Sequence, residues 1–170
     1  MTTTITGATG VNQITDDAIT VAKLPAGSVL QVIEATHKLD GSNGNTATTS
    51  SSYVTIYSGA ITPSSTSSKI LVKLIASVGT SMSTVQWQAP NPSVNVFRGS
   101  TEMWNHSKGA SFYQRENVYN AHHQDGMLSL EKLDSPSSTS AVQYDVKLKA
   151  SDVTSMAMMG SSLILTEIAG

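Results

Sequence analysis

At 170 residues the chain is long enough for one compact domain with a real core and too short for two comfortable ones. Only 13% of residues are charged, Ser and Thr together make up roughly a quarter, and the formal charge is −2 with no run of Lys or Arg, which leaves little counterion release to drive nucleic-acid binding. Cysteine is absent, which excludes a disulfide scaffold and a thiolate metal site and fits assembly in a reducing cytoplasm.

Residues 1–23 differ from the rest. Ile5, Val11, Ile14, Ile19 and Val21 are isolated apolar residues among small polar ones, too sparse to bury themselves within one chain, so order here needs a neighbour to cover them. This makes 1–23 a candidate docking arm, with a frayed tail as the plainer alternative. Met1-Thr2-Thr3-Thr4-Ile5 has neither the basic nor the apolar part of a signal peptide, and no apolar run nears membrane-spanning length, so neither secretion by a leader nor membrane insertion is expected.

Residues 24–170 read as a β-rich head. Gly27-Ser28 opens a first strand, Val29 to Ala35, which runs into a turn-rich surface loop from Asp40 to Ser52. Tyr53 to Tyr57 is a second strand of aromatic and β-branched residues. Ile61-Thr62-Pro63-Ser64-Ser65-Thr66-Ser67-Ser68 is then a corner, since proline gives no N–H to a ladder and the hydroxyls can bond nearby backbone. Ile70 to Val78 follows, the longest apolar run, with Lys only at Lys69 and Lys73, which predicts a strand covered on most of both sides. A turn is expected at Gly79-Thr80-Ser81, a strand from Met82 to Gln88 stopped by Pro90 and Pro92, and a short strand from Ser93 to Arg98 that Thr101 to Asn105 can join across Gly99-Ser100.

From His106 to Asp125 the periodicity disappears, giving a loop or a short helical excursion, and Met127 to Leu133 resumes a strand. Ser135-Pro136-Ser137-Ser138-Thr139-Ser140 repeats the earlier corner, so both long strands that follow the corners should enter from the same end. Ala141 to Ala150 alternates apolar and polar residues without a break, the signature of a strand with one wet face. Met156-Ala157-Met158-Met159 suits a subunit interface or a core gap equally, and Ser161 to Ala169 closes the sheet. About eight strands with turn signals between them and no helical period argue for an all-β sandwich of the jelly-roll kind.

Four strings carry a family resemblance: Ile61 to Val72, Leu133-Asp134-Ser135-Pro136, Leu24 to Val32 and Ser161 to Ala169. Together they resemble the β-rich head domain of tailed-bacteriophage fibre and virion-surface proteins, over roughly residues 24–169, and Asp17 to Leu24 is similar to repeats in trimeric phage-fibre shafts. The resemblance implies a homotrimer placed on a virion, contacting the major capsid protein or other virion proteins, with release by host lysis. It rests on structural punctuation rather than on chemistry.

Chemistry is sparse by comparison. His122, His123 and Asp125 with His106 have metal-ligand character, but adjacent histidines on extended backbone point to opposite sides, so no metal is expected. Glu102, Glu116 and Asp125 are candidate acids without an accompanying nucleophile signature, and Gly7-Ala8-Thr9-Gly10 lacks the lysine of a phosphate loop, so neither enzyme activity nor a cofactor is expected. Tyr113, Arg115, Tyr119, His122 and His123 are the candidate contacts to a host surface glycan. Trp87, Phe97 and Trp104 are expected to alternate into the core instead. Two purposes follow: a capsid decoration, cement or short head-fibre protein docked by its arm, or the receptor-binding tip of a tail fibre. The absence of a long shaft favours the first.

Overall fold

The alternation read from the sequence becomes nine strands among the described residues of this computed structural model, which are Thr20 and residues 23–37, 46–82, 91–104, 122–151 and 155–170. They are β1 (Val29–His37), β2 (Thr46–Thr48), β3 (Val54–Ile61), β4 (Lys69–Met82), β5 (Asn91–Arg98), β6 (Thr101–Glu102), β7 (His122–Asp134), β8 (Val142–Ser151) and β9 (Ser155–Ile168). Two antiparallel sheets form, ordered β1-β9-β4-β7 and β3-β8-β5-β6, with β2 added to the β9 edge beyond β1. The architecture is a β-sandwich.

The pairing has a simple logic. Working outward from the Gly99-Ser100 turn, β5 pairs with β6, β4 with β7, β3 with β8 and β1 with β9, as in one long antiparallel ribbon whose successive rungs fold into alternate sheets. Gly99 takes φ +60, a left-handed value that glycine adopts without a Cβ penalty.

Both corners lie at one end, as expected. Ile61 stands opposite Val142 and Ile70 opposite Asp134, so residues 62–68 carry the chain from the four-stranded to the five-stranded sheet while residues 135–141 return it alongside. Each corner is tied by the same Ser-x-Ser device, in which a hydroxyl accepts from the amide two residues on: Ser67 N to Ser65 Oγ at 3.2 Å and Ser140 N to Ser138 Oγ at 3.0 Å.

The core lies between the sheets. Ile70, Val72 and Leu74 of β4 and Leu163 and Leu165 of β9 meet Val94 and Val96 of β5 and Tyr144, Val146 and Leu148 of β8, all fully buried. Each such side chain contributes about 1.5–3 kcal/mol by leaving water. Gly59 of β3 faces this core, and a Cβ there would meet Ala35 Cβ at 3.1 Å and Leu163 Cδ2 at 3.2 Å. Gly59→Ala is expected to cost about 1 kcal/mol by overpacking, read as a lower urea midpoint, and Ala35→Gly in the same chain should return part of it.

Several boundaries differ from expectation, each for a physical reason. β4 runs through the expected turn at Gly79-Thr80-Ser81 because it is central, with β7 and β9 supplying partners on both edges out to Met82 and Ser81 respectively. That ladder also draws His122 to Asp125 into β7, correcting the loop or helical reading there, while 105–121 lies outside the described residues. The expected strand Met82 to Gln88 falls outside them too after Met82. Pro92 is within β5, opposite Ala150, in the stretch whose second edge carries no described strand, because β6 covers only Phe97 and Arg98. Thr46 to Thr48, expected as loop, forms β2 because β1 stops opposite Ser161 and leaves the β9 edge at Met156 to Met158 open. The methionine run lies inside β9, with Met158 fully buried in the core.

Candidate functional site

The residues expected to make functional contacts are only partly placed. Ile5, Val11, Ile14, Ile19 and Val21 of the arm and Tyr113, Arg115 and Tyr119 of the expected ligand region lie outside the described residues. His122 and His123 open β7, paired with Met82 and Ser81, at the end of the sandwich opposite the corners. The arm side joins at the corner end, where Lys23 N donates to Thr20 O at 2.8 Å and Gly27 N to Ala169 O at 2.8 Å. Thr20 and the His122-His123 pair therefore sit at opposite poles of the head.

The outer face of the four-stranded sheet carries a layer of aromatic and basic side chains. In β8 the even positions fill the core, so Asp145, Lys147 and Lys149 point outward. Their cross-strand neighbours on β5 are Phe97, Asn95 and Ser93. Phe97 is thus on the outer face, not in the core as the sequence suggested, because Val94 and Val96 hold the inward positions of β5. The Tyr53 ring packs edge-on against Phe97 at 4.9 Å, Lys147 Nζ lies 4.6 Å from the Phe97 centroid, and Lys149 Nζ lies 4.8 Å from the Tyr53 centroid. Tyr53 Oη is 2.8 Å from Ser93 Oγ and donates to Glu102 Oε1 at 3.2 Å. Burial, with the nearby Glu102 carboxylate, raises its phenol above the ordinary range. This layer explains why Ser93 and Asn95 are buried although they face away from the core. Trp104 does pack against the core, and its Nε1 donates to Glu131 O at 3.1 Å.

At the corner end lie two polar networks, one joining sheet to sheet and the other joining a corner to the five-stranded sheet. Asp134, the last residue of β7, accepts from the Tyr144 hydroxyl at 2.8 Å on Oδ2 and from Arg98 Nη2 at 3.2 Å on Oδ1, and the Arg98 Nε lies 2.7 Å from Oδ2 as an ion pair. Burial and the Asp134 bond push the Tyr144 phenol far up. Glu167 continues the inward row of Leu163 and Leu165 and has no exposed surface. It accepts from Ser64 N at 2.6 Å and Gln31 Nε2 at 2.6 Å. Burial alone would raise its carboxyl, but the nearby Ser68 hydroxyl and hydrogen bonds from Gln31 and Ser64 outweigh that and hold it below the usual range. The carboxylate thus fastens the first corner to β1 and β9. Beside it a cavity of about 500 Å³ is lined by Thr20, Leu24, Leu30 and the serines of that corner.

No protein-family model matches this chain, and no curated protein matches it. The chemistry must therefore be read from the geometry alone.

A general acid needs a raised carboxyl pKa, whereas Asp145 and Glu167 both shift downward. For Asp145 burial works upward and is outweighed by hydrogen bonds from Gln143 and Ser58 and by the Lys147 charge. Among the described residues no group of three or more His, Asp or Glu could hold a metal ion, and no helix is long and apolar enough to cross a membrane. Sequence reasoning missed Glu167, Asp134, Arg98 and Tyr144. The signal was present for two of them, since Leu163-Ile164-Leu165-Thr166-Glu167 and Val142-Gln143-Tyr144 each continue an inward row.

Proposed function

We propose that the chain is a non-enzymatic structural protein of a bacteriophage particle, a homotrimeric capsid decoration, cement or short head-fibre protein docked by residues 1–23. The observation that carries this reading is the strand order: β1-β9-β4-β7 against β3-β8-β5-β6 is a rolled-up ribbon, the jelly-roll arrangement used by viral capsid and lectin domains. The resemblance of the corners to virion-surface heads points the same way. Carboxylates committed to holding corners and sheets together, rather than poised across a groove, fit a building block better than a catalyst. Entry of the arm side at the corner end would turn that pole toward the coat and the opposite pole outward.

The reading predicts that deleting residues 1–23 leaves a soluble head with a strand-type circular dichroism spectrum that no longer attaches to particles. Cryo-electron microscopy of particles with the full chain should place copies on the capsid lattice; copies confined to the tail would overturn the decoration reading.

A second reading, a tail-fibre tip that binds a host surface glycan, is favoured by the outer face of the four-stranded sheet. There Lys147 and Lys149 stand over the Phe97 and Tyr53 rings, so an anionic sugar would meet positive charge above aromatic surface.

A further inference from the structure

We draw no further inference here: the strongest candidate, the cavity of about 500 Å³ between the first corner and the Thr20 and Leu24 wall, carries nothing because the hydroxyls of Ser64, Ser65 and Ser67 that line it are spent on bonds to Glu167 and to one another, and nothing in the structure shows what fills it.

Discussion

Arg98→Ala will lower the stability of the head by about 3 kcal/mol, the low end for breaking a buried ion pair, because the Arg98 side chain keeps 32% of its surface in water while that of Asp134 keeps only 10%. At roughly 2–4 °C per kcal/mol for a chain of this size, the melting temperature should fall by about 6–12 °C. The cost comes from stranding Asp134, so it is not the worth of the pair itself. Removing the partners together should therefore recover much of it: Arg98→Met with Asp134→Leu and Tyr144→Phe leaves no orphaned polar atom, and should lie closer to the unaltered protein than Arg98→Ala does. Chemical denaturation of the single and triple variants measures this directly. A triple variant as unstable as the sum of its parts would show that the network does not act as a unit.

Glu167→Ala should cost about 1–3 kcal/mol, because the Ser64 amide and the Gln31 side chain lose a charged acceptor in a part-buried place. The distinguishing readout is pH. The folded carboxyl titrates below the ordinary value of 4.5, so as the pH falls the unfolded chain takes up the proton first. The contribution of Glu167 is therefore complete above about pH 4.5 and drains away as the pH drops from there through the folded pKa. Asp145, also lowered, adds to the loss beginning near its own ordinary value of 3.8. Urea midpoints at pH 7, 5, 4 and 3.5 should show a steep fall for the unaltered protein below pH 4.5 and a shallower one for Glu167→Gln. Parallel curves for the two would remove Glu167 as the source.

How far the sequence revealed this molecule depends on what kind of signal each part leaves. The β8 strand was legible residue by residue, because Val142, Tyr144, Val146 and Leu148 alternate with polar positions and nothing else disturbs the period. The corners were legible because Pro and Ser-x-Ser act locally: Ser65 and Ser138 each bond an amide two residues away. Phe97 was misread because its bulk was weighed above the alternation of Ser93-Val94-Asn95-Val96, which already turns the even positions inward, as the register against β8 shows. β2 was missed because it exists only to cover an edge that another strand leaves open. The Arg98–Asp134–Tyr144 network was invisible for a similar reason, since its members come from three strands in two sheets. The residues singled out for particle docking, and Tyr113, Arg115 and Tyr119, lie outside what the structure describes.

The antiparallel pairing of β1 with β9, with the chain from Thr20 entering at the corner pole, has a mechanical side. A tether pulling at that pole along the strand axis would load the β1–β9 ladder from Val29 to His37 in shear, so its bonds share the strain and must give way nearly together. The same tether dragged sideways would open them one by one, starting at Val29. A head held this way would tolerate strong tension in one direction and peel away easily in another.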